Sequence, residues 1–183
     1  MIVPKKNLIY LTGFMGSGKS TIAPILANTL GYTFFDIDEE IEKATGKKVP
    51  DIFLCHGEEY FRQIERTLLQ KASHEQHCVI SLGGGTIANE TNLSVVKSSG
   101  ILIYLKADLE HIYHRLKNKT NRPLLRRDDG QALTDEELRE RISGILTARE
   151  PFYTQAHLIV ETSGRKVGLT VDQIVRSIMP LIE

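Results

Sequence analysis

A glycine-rich loop, set between an apolar stretch and a helical pattern, constrains this chain more than any other feature. The residues GFMGSGKST, from Gly13 to Thr21, directly follow the apolar stretch NLIYL. They fit the pattern G-x-x-x-x-G-K-[ST], in which backbone N–H groups turn inward around an anion and the next helix points its positive end at it. A chance match in a chain of average composition has a probability well below about one in a hundred. The sequence therefore predicts a site for a nucleoside triphosphate.

Two side chains of this loop carry chemistry of their own. Lys19 can reach the β- and γ-phosphates, and the hydroxyl of Ser20 can ligate Mg²⁺. The loop alone does not separate kinases from switches and motors. The residues of the loop that we expect to bind ATP are Gly13, Gly16, Ser17, Gly18, Lys19, Ser20 and Thr21.

Short apolar stretches alternate with helical patterns along the chain. Such stretches predict strands, which are 7–11, 32–36, 78–81, 101–105 and 157–161. Their continuous apolar character is typical of strands buried on both faces of a parallel sheet. We predict an α/β fold, a three-layer αβα sandwich built on a five-stranded parallel sheet, as the single domain of residues 1–183.

Helical spacing of apolar residues marks four segments between and after these strands. The predicted helices are 20–30, 58–72, 133–148 and 170–179. Gly31 is placed to end the first helix in a left-handed conformation. Thr134 and Glu137 have the spacing of a capping box at the start of the third. These signals support helices that cover the predicted sheet.

Composition and charge argue against several classes of protein. The 183 residues include 23 basic and 23 acidic side chains, for a formal net charge of zero. That balance argues against a nucleic-acid or membrane-surface protein that works by bulk charge. The N-terminus lacks the apolar core of a signal peptide, and no apolar run is long enough to span a bilayer. Cys55 and Cys78 are expected to be free, partly buried thiols, so we expect a cytoplasmic protein without membrane or nucleic-acid partners.

Two carboxylates follow the second predicted strand, at the edge where open α/β sheets bind ligands. Asp36 can hold Mg²⁺ through water, and Asp38 can orient an attacking hydroxyl or accept its proton. The alternative is that Asp38 only caps the helix that carries Ile41.

Two further motifs are compatible with a binding site. In GEEYFRQIE, Arg62 and Glu65 lie three residues apart and face the same way on a helix; the alternative is an ordinary surface ion pair. In SLGGGT, the glycines 83–85 follow the third strand and let a ligand touch the backbone; a loose turn is the alternative.

The stretch 117–133 is least like regular structure. It is polar, contains proline and glycine, and is long for a connection, so it is predicted to be a functional loop or lid. A run of basic residues enters and crosses it, although such a run is usually only a solvated loop. The run comprises Arg115, Lys117, Lys119, Arg122, Arg126 and Arg127.

Six motifs in order, GFMGSGKST, DIDEEIE, GEEYFRQIE, LGGGT, NRPLL and AREPFY, closely resemble the shikimate kinase family over nearly the whole chain. The resemblance implies the nucleoside-monophosphate-kinase fold with strand order 2-3-1-4-5, a substrate-binding helical region at about 36–75 and a mobile lid at about 117–133. It implies transfer of the γ-phosphoryl group of ATP to the 3-hydroxyl of shikimate, with Mg²⁺, in the biosynthesis of aromatic amino acids.

The resemblance also implies roles at the nucleotide. Lys19, Asp38 and Arg122 are the catalytic residues, with Arg122 approaching the phosphates from the lid. Ser20 ligates Mg²⁺ and Asp36 lies near it through water, while Ser81 faces the water shell of the metal. Arg115 stacks on one side of the adenine, and the loop near Arg165 lies on the other side, where this chain has Val167 in place of the usual proline.

At the substrate, the resemblance implies that Arg62 and Arg149 bind the carboxylate of shikimate. Asp38 contacts the ring hydroxyls, and Phe53 with Phe61 forms an apolar wall. The complete implied set is Asp38, Phe53, Phe61, Arg62, Glu65, Gly83, Gly84, Gly85 and Arg149. We expect a monomer that binds ATP and shikimate.

Two other hypotheses compete with this one. A related small-molecule kinase, such as a gluconate kinase, would share the phosphate loop and the lid, but GEEYFRQIE with the triple glycine argues against it. A catalytically idle nucleotide-binding module should have lost Asp38, Arg122 or Arg149, and all three residues are present.

Overall fold

The fold is built on one sheet of five parallel strands. The computed structural model describes residues 6–118 and 133–182. The strands are β1 (Leu8–Thr12), β2 (Thr33–Asp36), β3 (Cys78–Ser81), β4 (Ile101–Lys106) and β5 (Leu158–Glu161). Their spatial order is β2-β3-β1-β4-β5 with every pairing parallel, so the predicted sheet and its order are confirmed.

Helices cover both faces of this sheet. They are α1 (Lys19–Leu30), α2 (Ile37–Thr45), α3 (Val49–Ala72), α4 (Glu90–Ser99), α5 (Leu109–Leu116), α6 (Asp135–Tyr153) and α7 (Val167–Ile178). Neighbouring residues of one strand are buried on opposite faces of the sheet, because side chains alternate in direction along a strand. Tyr10 of β1 packs in the cluster that includes Ile52 of α3, whereas Ile9 packs with Leu26 of α1. This gives the predicted three-layer sandwich.

Two predicted helices are longer in the structure than in the sequence-based assignment. α6 continues to Tyr153 although Pro151 lies inside it. The ring of Tyr153 is fully buried and packs against Tyr104, with centroids 4.9 Å apart, which favours extension of the helix. α3 begins at Val49 rather than at residue 58, because a non-helical Gly57 (φ 80°) joins two helical segments that the apolar spacing treats as separate.

Other expectations about local structure have mixed outcomes. Gly31 ends α1 with φ 68°, and Thr134 and Glu137 form the predicted capping box of α6. The helices α4 and α5 lie outside the predicted set. Cys78 is buried on β3, but Cys55 is exposed, because only one face of the first segment of α3 packs inward. Residues 119–132 of the predicted lid lie outside the described residues.

The carboxyl edge of the sheet brings separate motifs together. The parallel pairing of β2 and β3 sets Asp36 beside Ser81, and β1 between β3 and β4 leads into the glycine-rich loop. A third apolar cluster packs Phe14 of that loop against α5 and α6, and it includes Ile142 of α6. Across residues 6–118 and 133–182, no helix is both long and apolar enough to cross a membrane.

Candidate active site

A cavity of about 1070 Å³ opens at the carboxyl edge of the sheet. It joins the two predicted binding regions in one space. Its walls include nearly all predicted site residues within the described ranges, namely Gly16, Ser17, Gly18, Lys19, Ser20, Thr21, Asp36, Asp38, Phe53, Phe61, Arg62, Glu65, Gly83, Gly84, Gly85, Arg115, Arg149 and Arg165. Gly13 is not part of the wall, and Arg122 lies outside the described residues.

The phosphate loop depends on backbone shapes that only glycine adopts easily. Gly13 has φ 144°, and a Cβ there would lie 2.5 Å from the carbonyl oxygen of Leu105. Gly18 has φ 103° and is the residue before α1. Lys19 donates through Nζ to the carbonyl oxygens of Gly13 (2.6 Å) and Phe14 (3.1 Å). Gly13 therefore packs closely against β4, and the side chain of Lys19 folds back onto the loop.

Two arginines flank the nucleotide side of the cavity. Arg115 of α5 donates to the carbonyl oxygen of Gly16 at 2.5 Å, which holds its guanidinium against the phosphate loop. Arg165 precedes α7 and is bonded to Gln173. Both side chains line the cavity, and Val167 lines it as well. The two positions predicted for the adenine thus lie on the same cavity as the phosphate loop.

The two carboxylates after β2 have different surroundings. Asp36 caps α2, because its Oδ1 accepts hydrogen bonds from the N–H groups of Asp38 (3.0 Å) and Glu39 (3.3 Å). The interpretation of Asp38 as the cap is therefore wrong. Asp38 lies in the first turn, with Oδ1 3.0 Å from the point where a Cβ on Gly83 would stand. Its carboxylate reaches the glycine loop across the cavity.

Arg62, which is partly exposed, pairs with the buried Glu65, so the two do not form an ordinary surface ion pair. Arg62 donates through Nη1 to Glu65 Oε2 at 2.8 Å, and through Nε and Nη2 to Glu58 Oε1 at 3.2 and 3.1 Å. The side chain of Glu65 is only 1% exposed. Its other oxygen accepts a hydrogen bond from Thr86 at 2.7 Å. Burial by itself lowers the pKa of Arg62, but the two carboxylates outweigh it and raise that pKa.

The triple glycine is enclosed by charged groups. A Cβ on Gly85 would lie 2.7 Å from an Arg62 nitrogen and 3.3 Å from an Arg149 nitrogen. A Cβ on Gly84 would lie 3.2 Å from Arg149. The glycines leave room for two guanidinium groups beside one stretch of backbone, which favours a binding role over a loose turn.

An aromatic wall adjoins these cations. The rings of Phe53 and Phe61, one on each segment of α3, have centroids 4.7 Å apart. Phe61 is almost fully buried, whereas Phe53 is partly exposed toward the cavity. The arrangement offers two cations, one apolar wall and free space for a small ring-shaped anion.

Comparison with known proteins identifies the family to which this chain belongs. The model of the shikimate kinase family matches residues 15–180. The chain belongs to the shikimate kinase family. It is 46% identical to a shikimate kinase of Chlorobaculum tepidum over 172 residues, which cover 94% of this chain and 90% of that protein. The shikimate kinase of Chlorobium luteolum is 44% identical over 181 residues, 99% of this chain and 90% of that protein.

Solved structures of shikimate kinases have the same fold. The enzyme of Acinetobacter baumannii in complex with shikimate superimposes with a TM-score of 0.86 at 33% identity, covering 96% of this chain and 94% of that one. The shikimate kinase of Aquifex aeolicus gives a TM-score of 0.79 at 36% identity, with coverage of 94% and 96%.

In this member of the shikimate kinase family, some residues of the site were not predicted. Thr86 bonds Glu65, and Tyr153 donates to the carbonyl oxygen of Gly84. Both lie inside motifs that the sequence displays, LGGGT and AREPFY. Their position in those motifs was the only available signal. The residue type does not indicate which group the hydroxyl will contact.

Proposed function

We propose that this chain transfers the γ-phosphoryl group of ATP to the 3-hydroxyl of shikimate, giving shikimate 3-phosphate and ADP. One observation carries the proposal: a single cavity holds a phosphate loop at one side and two arginines beside a glycine loop at the other. The first side suits a triphosphate and the second a small carboxylate, and the space between them is continuous.

At the nucleotide, the loop from Gly13 to Thr21 binds the phosphates through backbone N–H groups and the start of α1. Lys19 exchanges its carbonyl partners for phosphate oxygens. Arg115 and Arg165 flank the adenine from opposite walls. The support is the position of both arginines on the cavity that the phosphate loop lines.

At the substrate, Arg62 and Arg149 bind the carboxylate. Arginine offers a planar fork that matches a carboxylate, which lysine does not. Glu65 and Glu58 fix the orientation of Arg62 before any ligand arrives. Phe53 and Phe61 pack against the ring, and the backbone of residues 83–85 meets its oxygens.

Asp38 orients the reacting hydroxyl. Phosphoryl transfer through a loose transition state needs mainly positioning and neutralisation of charge. Asp38 lies between the glycine loop and the phosphate loop along the cavity wall, where it can accept the proton of the hydroxyl as the oxygen attacks. Lys19 and Arg122 neutralise the charge on the transferred group, Arg122 being assigned from its sequence motif.

The donors present suit Mg²⁺. Ser20 and Asp36 line the cavity, and capping of α2 engages Oδ1 of Asp36. Within the described residues, no group of three or more histidine, cysteine or acidic side chains is arranged to hold a metal. A sparse set of this kind fits Mg²⁺, which keeps several waters and binds mostly through substrate phosphates. Ser20 would ligate the ion, Asp36 would hold it through water, and the ion would supply charge neutralisation.

We also propose that the enzyme acts as a cytoplasmic monomer without nucleic-acid or membrane partners. The formal net charge of zero and the exposed free thiol of Cys55 support this, because exposed thiols persist in reducing compartments. Light scattering after gel filtration tests the monomer by giving a mass near 20.6 kDa or a multiple of it.

The decisive test is release of ADP in a coupled assay with shikimate, quinate, gluconate and nucleoside monophosphates as acceptors. We expect kcat/KM for shikimate to exceed that for gluconate by at least about 10²-fold, because gluconate lacks the ring that the aromatic wall accepts. Preference for gluconate or a nucleoside monophosphate would overturn the proposal. ATP binding without transfer to any acceptor would indicate an idle module.

A further inference from the structure

Tyr153 lies behind the substrate side of the cavity and outside its wall. It is the last residue of α6, its side chain is fully buried, and its hydroxyl donates to the carbonyl oxygen of Gly84. Its ring packs on that of Tyr104, with centroids 4.9 Å apart and planes inclined by 32°. Because the buried and stacked ring has little freedom to move, it holds the hydroxyl in position beside Gly84.

The bond to Gly84 controls the direction of the next N–H group. In a trans peptide, the C=O of Gly84 and the N–H of Gly85 point in opposite directions. A peptide between two glycines has no side chain that resists rotation of the whole unit. Because Tyr153 holds the C=O on its own side, the N–H of Gly85 points away from Tyr153.

The N–H groups of the glycine loop are available to a ligand. Among residues 6–118 and 133–182, no side chain or carbonyl accepts a hydrogen bond from the N–H of Gly84 or Gly85. Both glycines line the cavity beside Arg62 and Arg149. An oxygen of a small anion held by these arginines would lie within reach of such an N–H group.

The Tyr153 hydroxyl keeps its proton near neutral pH. Burial raises the pKa of Tyr153, and the neighbouring Arg149 acts in the opposite direction without cancelling the rise. Tyr104 does not compete for Gly84, because its own hydroxyl donates to Glu150 Oε2 at 2.8 Å. The Tyr153 hydroxyl thus faces Gly84 and Arg149, whereas the Tyr104 hydroxyl has Glu150 as its partner.

We propose that Tyr153 is a positioning residue for shikimate: by holding the carbonyl of Gly84, it fixes the Gly84–Gly85 peptide so that the Gly85 N–H is presented to the bound substrate. This inference rests on the proposed function, since it assigns a role on the substrate side of the same cavity. Tyr153 itself does not touch the substrate.

The test compares Tyr153→Phe with Tyr104→Phe. Each substitution removes one buried hydroxyl and keeps the stacked ring, so the two variants differ in which partner is lost. For Tyr153→Phe we expect KM for shikimate to rise about ten-fold, with kcat and KM for ATP within about two-fold of the parent, as for the loss of uniform substrate binding. For Tyr104→Phe we expect both KM values within about two-fold.

Two controls keep the outcome interpretable. Stoichiometric binding of ADP by calorimetry counts folded protein, so a variant that loses structure is recognised and its kcat is corrected for the active fraction. The parent assayed with shikimate tests the proposed function separately. A parent that transfers phosphate to shikimate, beside a Tyr153→Phe variant with an unchanged KM for shikimate or with the profile of Tyr104→Phe, would overturn the role of Tyr153 alone.

Discussion

The two sides of the cavity recognise their ligands by different means. The phosphate-binding part of the nucleotide side comes from one continuous segment, Gly13 to Thr21, and depends on backbone conformations with positive φ. The substrate side is assembled from α3, the glycine loop and α6, and depends on charged side chains. The difference shows that phosphate recognition is encoded locally here, whereas substrate recognition arises only when distant segments meet.

The two sides also differ in how firmly their cations are held. Lys19 donates to the carbonyl oxygens of Gly13 and Phe14, which phosphate oxygens can replace. Arg62 is bonded to Glu58 and to Glu65, which is almost wholly buried. Breaking this pair would leave the buried carboxylate of Glu65 uncompensated, which is costly. The substrate side is therefore preorganised, and the nucleotide side rearranges on binding.

The largest effect is expected from Lys19→Met on the nucleotide side. We expect kcat to fall by at least about 10³-fold, because the positive charge that Lys19 holds against the negatively charged phosphoryl group is lost. The melting temperature should stay close to that of the parent, since Lys19 is outside the apolar core. Steady-state assay and thermal melting check this, with the exposed Lys43→Met as the matched control. Turnover near that of the parent would contradict the assignment of the phosphate loop.

A comparable effect on kcat is expected from Arg122→Ala. If Arg122 acts in the transition state, as we propose, kcat should fall by about 10³-fold while Kd for ATP changes by only about ten-fold, or 1.4 kcal/mol. Single-turnover transfer and calorimetric ATP binding on the same variant separate the two quantities. A Kd for ATP weakened far beyond ten-fold, with normal turnover at saturating ATP, would make Arg122 an ordinary ground-state ligand.

Smaller, selective effects are expected on the substrate side. Arg62→Lys and Arg149→Lys keep the charge but lose the planar fork. KM for shikimate should rise by about ten- to a hundred-fold, with KM for ATP changed less than about three-fold. Arg66→Lys, an exposed arginine of the same helix as Arg62, is the control. If the KM for ATP rose and the KM for shikimate did not change, Arg62 and Arg149 would bind ATP and not shikimate.

The same contrast explains what the sequence could predict. The phosphate loop and the five strands were predictable from residue patterns, because a contiguous motif and buried apolar runs each depend on local chemistry. The convergence of Arg62 with Arg149, 87 positions further along the chain, was reached only through family resemblance. Spacing gave no reason to bring these two residues together.

Burial and hydrogen-bond partners were the least predictable features. Arg62 and Glu65 have the spacing of a surface ion pair, and the contact of Thr86 in the glycine loop with the buried Glu65 is a tertiary feature. Asp36 and Asp38 are both capping residues by type, and the backbone direction after β2 decides that Asp36 fills that role. Such choices depend on tertiary contacts.

The smallest effect is expected far from both sides of the cavity, at His157 before β5. Its Nδ1 accepts a hydrogen bond from the N–H of Leu102 at 2.9 Å, and burial, with Lys6 and Lys97 nearby, lowers its pKa below the ordinary 6.5. The unfolded chain then binds the proton more readily than the folded protein. The contribution of His157 to the free energy of unfolding is therefore present above about pH 6.5 and is lost as pH falls below it. His157 is partly exposed, so we expect less than about 1 kcal/mol.

Thermal melting from pH 5 to pH 8 checks this expectation. The parent should lose stability on the acid side more steeply than His157→Gln, while neither KM changes at pH 8. A parent and variant with superimposable pH profiles would exclude His157 as the source.

The central claim is that one cavity contains two separately encoded recognition sites. Its most direct test is calorimetric titration of Lys19→Met and Arg149→Lys with ADP and, separately, with shikimate. We predict that Lys19→Met weakens only the nucleotide and that Arg149→Lys weakens only shikimate, by at least about ten-fold, or 1.4 kcal/mol, in each case. Equal weakening of both ligands by either variant would contradict the claim.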